Sequence, residues 1–343
     1  MTCVPAVSVI MPVRNGAAWL AEAVASVQAQ DFGDFECVIV DDGSDDGTAA
    51  MLSGFAAADH RIRVFHQTPQ GIVAALNTAI AAARAPYLAR LDADDRARPE
   101  RLGKQFAFLE AHPGIALLGT FAECIDSAGT TVGRLTPPTD HATLSRVLER
   151  TNPFVHSSVM MRTALVRRIG GYRAAFQTAE DYDLWLRTVE AGGVANLANY
   201  LTQYRRHATN QSRRDAIRQS FSVRLAQRSA AGRRSGAGDP AGTLTAPPDW
   251  WAKDAETSFF ADEVGFYRLL DADAVSAPQY IQALRHRLFR LNHVERRLAQ
   301  MRLRAMLHEV GGPIGARHLW IAILIAALHP GRALGLVWGG DSR

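Results

Sequence analysis

The sequence predicts an α/β fold: a mostly parallel sheet flanked by helices, with a mainly helical C-terminal extension. Three observations carry this. Short β-branched runs alternate with helical periodicity as far as Asp95, the pattern of parallel strands joined by crossover helices. Two of those runs end in acidic clusters, at the sheet rim where binding loops gather. A chain of 343 residues also exceeds what one core usually holds, so an appended region is expected.

The elements follow in order. Ala6 to Pro12 is a first buried strand, apolar and β-branched. Ala17 to Gln30 is a helix with Leu20, Val24 and Val27 on one face. Phe35 to Val40 is a second strand, running into Asp41-Asp42-Gly43-Ser44-Asp45-Asp46-Gly47-Thr48. Ala49 to Ala58 is a helix, Ile62 to His66 a third strand and Gly71 to Ala83 an Ala-rich helix. Tyr87 to Leu91 is a fourth strand, entering Asp92-Ala93-Asp94-Asp95. Pro99 to Leu109 is then helical, Ile115 to Ile125 extended and Leu144 to Glu149 helical. Val155 to Arg162 reads as a strand with His156 near its start. Asp181 to Glu190 is a helix opened by acidic residues, which suits its N-terminal dipole, and Val194 to Tyr204 is extended. Gly, Pro, Ser and Ala dominate Ala230 to Asp249, the signature of a linker or loop. Ala277 to Leu307 is helical and rich in Arg, and an apolar helix covers Gly315 to Leu328.

Composition narrows the function. The formal charge of +4 hides a bias: apart from Lys104 and Lys253, all 38 basic residues are Arg. The basic residues are interspersed with Leu and Phe and no reading motif appears, so no nucleic-acid partner is expected. Cys3, Cys37 and Cys124 are too far apart for a disulfide framework or a metal spacing, which fits a reducing cytosol. The first residues lack a basic leader followed by an apolar core, so no signal peptide is expected. The stretch Leu319 to Leu328 is too short to span a bilayer as a helix.

Asp92 and Asp94 stand two apart at the end of a buried strand, where carboxylates are costly unless paired or metal-bound. Oxygen-only sites suit hard ions such as Mg²⁺ or Mn²⁺. The loop from Asp41 to Asp46 falls on the same rim, so the two acidic loops should repel unless a cation or a hydrogen-bonding ligand compensates. No glycine-rich dinucleotide fingerprint follows the first strand.

These pieces, with Val9-Ile10-Met11-Pro12-Val13-Arg14-Asn15, Glu180-Asp181-Tyr182-Asp183-Leu184-Trp185 and Tyr204-Arg205-Arg206-His207, resemble the family-2 inverting glycosyltransferases of bacterial surface-glycan assembly, which have the GT-A fold. The resemblance covers roughly residues 5 to 215. It divides the chain into a glycosyltransferase domain at 1–215 (a nucleotide-sugar half at 1–98 and an acceptor half at 99–215), a flexible linker at 216–250 and a helical region at 251–343.

The resemblance implies roles. Pro12, Val13 and Arg14 line the nucleotide pocket, Asp42 contacts the base, Asp92 faces the ribose and Asp94 contacts the metal, Mn²⁺ or Mg²⁺. Asp181 is the general base that takes a proton from the acceptor hydroxyl, with Glu180 orienting the acceptor or shaping the base. The other reading of Glu180 and Asp181 is an acidic helix cap. His207 is a metal ligand or diphosphate contact, and Arg205 neutralises the leaving group. His156 and Trp185 face the acceptor, or else pack. Gly170 and Gly171 form a turn before the base helix.

The implied reaction moves a sugar from a nucleotide-diphosphate-sugar donor to a glycan or lipid-linked glycan in a single displacement. A sugar-nucleotide nucleotidyltransferase and a non-catalytic nucleotide-sugar-binding module are the alternatives. The first is disfavoured by the missing glycine cluster, the second by the presence of Asp94 and Asp181. Trp320 and nearby apolar residues among arginines suit a peripheral contact with the inner face of the cytoplasmic membrane. The same helix equally suits covering the core or a homodimer interface.

Overall fold

The computed structural model describes residues 4–206 and 213–248, with Leu284, Leu291, Glu295, Arg296, Ala299, Gln300, Met301 and Leu303 beyond them. The chain divides into two compact units, Met1–Asn210 with Leu225–Pro247, and Gln211–Arg224 with Pro248–Arg343.

The strands are β1 (Val7–Val13), β2 (Phe35–Asp41), β3 (Ile62–His66), β4 (Tyr87–Arg90), β5 (Arg96–Ala97), β6 (Ile115–Ile125), β7 (Thr131–Leu135), β8 (Met160–Arg162) and β9 (Gly193–Arg205). The helices are α1 (Leu20–Gln28), α2 (Thr48–Ala58), α3 (Ile72–Ala82), α4 (Arg101–Ala111), α5 (His141–Leu148), α6 (Thr163–Arg168), α7 (Glu180–Ala191) and α8 (Arg213–Ser235). One sheet takes the order β3-β2-β1-β4-β8-β6-β9-β5, with β7 paired to β6.

Every residue of β1 and β2 is buried, which is why both read as mainly apolar runs, with only Ser8, Glu36 and Asp41 polar, rather than as alternating ones. β3, β2, β1 and β4 are parallel to their neighbours. α1 covers them with Leu20, Ala23, Val24 and Val27, which join Val7, Val9, Met11 and Leu52 in the main core. Each such aliphatic side chain contributes about 1.5–3 kcal/mol when fully buried. Beyond β4 the sheet becomes mixed: β8 is antiparallel to β4 and β6, and β9 is parallel to β6. The parallel half gathers β1, β2 and β4 at one rim, and the reversed half brings β8 and β9 beside it.

Two expectations are corrected. Val155 to Arg162 is not one strand. A 3-10 turn at His156–Ser158 precedes β8. Ser158 bonds the Val155 carbonyl through both its N–H (2.8 Å) and its hydroxyl (2.7 Å), so local hydrogen bonds replace a ladder. The flexible linker expected at 216–250 is helical up to Ser235, as part of α8. Ala and Arg favour that helix, and its Gly232 marks close packing rather than a break. A Cβ there would lie 2.2 Å from the Gly238 carbonyl oxygen. Residues after α8 are tied down as well, since Asp239 pairs with Arg173 and Arg233.

β5, β7 and α6 are additions to the sequence reading. His207, Asp249 to Trp251 and the apolar helix Gly315 to Leu328 lie outside the described residues. Within Ala277 to Leu307, the described residues Leu284, Glu295, Ala299 and Leu303 are helical. In the second unit Arg224 pairs with the buried Glu295 at 2.8 Å.

Candidate active site

The parallel strands open into a cleft of about 320 Å³ lined by Pro12, Val13, Arg14, Asp42, Gly71, Ile72, Ala75 and Asp92. The three nucleotide-pocket residues expected on β1 and just after it therefore meet the expected acids of the second and fourth strands. Asp42 follows β2, and its N–H donates to the Val13 carbonyl oxygen at 2.9 Å. Its carboxylate accepts from Gln67 Nε2 (2.7 Å), Gln70 N (2.8 Å) and Gly71 N (2.8 Å), which fixes the loop before α3. Gly71 has φ +89°, a left-handed conformation that a side chain would strain.

The acidic loop after β2 needs no cation. Asp41 Oδ1 accepts from Ser44 N (3.0 Å) and Ser44 Oγ (2.6 Å). Asp46 accepts from Thr48 Oγ1 (2.5 Å), Ala17 N (3.0 Å) and Thr48 N (3.1 Å), and these bonds, the hydroxyl first, hold its carboxyl below the usual range. Asn15, at φ 53°, accepts from Asp45 N through Oδ1 at 2.9 Å. The expected repulsion between the two acidic loops is thus absorbed by backbone and hydroxyl donors on the β2 side.

The loop after β4 differs. Asp92, Asp94 and Asp95 bring carboxylate oxygens within 4.8 Å of one another. Asp92 is held by both terminal nitrogens of the buried Arg90 and by Ser157 Oγ, which donates to Oδ2 at 2.9 Å. Asp95 is 1% exposed; its Oδ1 accepts from Arg205 N at 2.6 Å, while its Oδ2 is buried without a hydrogen-bond partner. Burial, together with the charges of Asp92 and Asp94, pushes the Asp95 carboxyl well above the usual range. A bare buried carboxylate oxygen among two further carboxylates fits a hard divalent cation.

The base candidates open α7. The residue capping that helix is Ala179, with no side-chain cap bond, so Glu180 and Asp181 are not the N-cap. Asp181 Oδ1 accepts from Tyr182 N (2.6 Å) and Oδ2 from Asn152 Nδ2 (2.7 Å). Burial raises its carboxyl above the usual range against the pull of these donors and of Arg90. Glu180 is pushed up to about 8 by burial and by the neighbouring charge of Asp181. The turn before α7 depends on Gly171, at φ +62°, where a Cβ would meet Asn77 Oδ1 at 2.6 Å. Asn77 instead clamps Tyr172, bonding its N–H (3.0 Å) and its carbonyl oxygen (2.8 Å).

Three expected contacts fall elsewhere. Arg205 is fully buried; its guanidinium donates to Asp94 O (2.8 Å), Asp126 O (3.1 Å), Ser127 O (3.1 Å) and Glu22 Oε2 (2.5 Å). It fastens the acidic turn from behind rather than meeting a diphosphate. Trp185 is also fully buried, packing on Phe154 and His156, so its indole supports the site and offers no face to an acceptor. His156 bonds the Tyr172 hydroxyl through Nε2 at 2.8 Å and lies 3.8 Å from Glu180. Burial and the Arg90 charge hold its imidazole well below the usual value, hence neutral.

Arg90, Ser157 and Asn152 were not anticipated. Arg90 had a readable signal, a charge inside an otherwise apolar strand. Ser157 had none, and Asn152 only the turn preference of an Asn-Pro pair.

Sugar transfer from an activated nucleotide needs a rim for the nucleotide, anions to hold a cation at the diphosphate, and a separate carboxylate for the attacking hydroxyl. The cleft at the strand ends, the acid trio able to hold a cation and the carboxylates that open α7 are compatible with those needs. The chain belongs to Glycosyl transferase family 2, whose model matches residues 8–170.

Among curated relatives, the putative glycosyltransferase EpsE of Bacillus subtilis is 36% identical over 55% of this chain and 68% of its own length. The O-antigen biosynthesis glycosyltransferase WbnJ of Escherichia coli is 30% identical over 59% of this chain and 80% of its own. Among solved structures, S. aureus TarS in complex with UDP shares the fold with a TM-score of 0.57 at 18% identity, over 94% of this chain and 90% of that one. The mannosyltransferase PcManGT from Pyrobaculum calidifontis, in complex with GDP-Man and Mn²⁺, has a TM-score of 0.52 at 19% identity, over 95% and 86%.

Proposed function

We propose that this glycosyltransferase moves a sugar from a nucleotide-diphosphate donor to a hydroxyl of a glycan or lipid-linked glycan, with inversion, and that Asp181 is the general base. The observation that carries this reading is the pair at the start of α7. Glu180 is buried and Asp181 half-buried, and Asp181 is the one held by two donors to its carboxylate. Those donors favour its ionised form, whereas Glu180 keeps its proton near neutral pH. One carboxylate is thus ready to accept a proton from the acceptor, and its neighbour adds no second charge.

The donor nucleotide is proposed to occupy the cleft between Pro12, Val13, Arg14, Asp42 and Asp92. A divalent cation, Mn²⁺ or Mg²⁺, held by Asp94 with Asp92 and Asp95, supplies charge neutralisation for the departing diphosphate when bound. His207 is proposed as a further ligand on the resemblance alone. The naming of WbnJ for O-antigen biosynthesis supports a place in surface-glycan assembly.

The test is Asp181→Asn. Donor binding should persist while acceptor-dependent release of nucleoside diphosphate falls by about 10²-fold or more. Undiminished transfer by this variant would remove the base assignment.

A further inference from the structure

Asn152 stands in the turn that leads to His156. Pro153 follows it and has no N–H, so the Asn152 side chain closes the turn instead: its Oδ1 accepts from Phe154 N at 3.0 Å. With that oxygen committed, the amide NH2 faces away from Phe154, and Nδ2 donates to Asp181 Oδ2 at 2.7 Å. A flipped amide would set its NH2 against the Phe154 N–H and its oxygen against the Asp181 carboxylate, so only one orientation satisfies both contacts. Phe154 packs on Trp185 of α7 with ring centroids 6.1 Å apart, which holds turn and helix together.

We propose that Asn152 is a positioning residue for the general base, fixing the rotation of the Asp181 carboxylate and favouring its ionised form. The proposal rests on the reading of Asp181 as that base. Asp181 is surrounded by Glu180 on its own helix, Arg90 at the end of β4, Asp92 after it, and Tyr172 before α7. His156 adjoins Glu180 from the 3-10 turn. Arg90 is the cation of this set, and burial opposes it. Asn152 is the side-chain donor to Asp181, and bonds to an ionised acceptor are among the stronger ones.

The separating variant is Asn152→Asp. Aspartate closes the same turn by accepting from Phe154 N, but sets a carboxylate oxygen, in place of the amide donor, against Asp181. A second variant, Asn152→Ser, keeps a turn-closing hydroxyl and is too short to reach Asp181. For Asn152→Ser the thermal midpoint and donor KM should stay near those of the unaltered enzyme; for Asn152→Asp donor KM should stay, while the two facing carboxylates lower the midpoint. The kcat of both variants at pH 7 should fall by about tenfold, and the acidic limb of the kcat profile should move up by about one pH unit.

The direction follows from the lost donor: without it the Asp181 carboxyl titrates higher, and less of it is available as base at low pH. An unchanged kcat and limb overturns the inference. So does a kcat lowered equally at every pH, which marks a structural role only. Asp181→Asn separates the two levels. If it is inactive while the Asn152 variants behave as the unaltered enzyme, Asn152 alone loses its role; if it is fully active, the base reading falls first.

Discussion

Glu180 holds a proton that the unfolded chain would shed. Its carboxyl is pushed from an ordinary 4.5 up to about 8, first by burial and then by the charge of Asp181. Between those two values the folded state binds one proton more than the unfolded state at this position. Folding stability from this residue is therefore full below pH 4.5 and is lost as pH rises through the window. Glu180→Gln removes the titration while keeping the shape. We predict that its thermal midpoint falls less between pH 5 and pH 8 than that of the unaltered enzyme. Unfolding scans at both pH values check this, and parallel declines in the two proteins would place the burden elsewhere.

α7 owes its position to a carboxylate outside the chemistry. Asp183 is fully buried and accepts from Arg173 Nε (3.0 Å) and from Arg187 Nε (3.0 Å) and Nη2 (2.7 Å). Arg187 also bonds the Gly171 carbonyl oxygen at 2.7 Å, so helix and preceding turn are fastened through one guanidinium. Asp183→Ala leaves the buried Arg187 guanidinium without its counter-charge, while Arg173 keeps Asp239. We predict a loss of about 3–5 kcal/mol of unfolding free energy, read from the urea midpoint at constant slope.

The same helix shows what the sequence makes readable. Its acidic first turn is visible from position alone, and β1, β2 and β4 are visible because burial on both faces leaves mainly apolar runs, broken only by Ser8, Glu36, Asp41 and Arg90. β5 has two residues and β7 is largely exposed, so neither gives a periodic signal. Asn152 and Ser157 act on carboxylates 29 and 65 residues away in sequence, a relation that exists only after folding. Arg205 misled for the same reason. An arginine pair followed by a histidine suggests anion binding, but β9 turns Arg205 inward onto Glu22 and three carbonyl oxygens.

At the scale of the whole molecule, among the described residues, the acids near the cleft outnumber the cations beside them, Arg90 and Arg14. Asp92, Asp94, Asp95, Glu180 and Asp181 gather near Arg90, and burial, with repulsion from Asp92 and Asp94, raises the Asp95 carboxyl. Such a site stores instability that a bound cation would relieve. Metal and nucleotide should then stabilise the fold jointly, because a diphosphate brought alone adds negative charge to negative charge. We predict that nucleoside diphosphate raises the thermal midpoint with Mn²⁺ or Mg²⁺ and does so little after chelation. At a hundredfold excess over Kd, the complex should gain about 2.7 kcal/mol of folding free energy. Asp94→Asn should weaken the joint effect, and the midpoint of the free protein should rise or hold, because one charge of the repelling trio is removed. Thermal unfolding with metal alone, nucleotide alone and both together checks this. Equal stabilisation by nucleotide with and without metal would mean that the acid trio serves the fold of the loop after β4 and holds no cation.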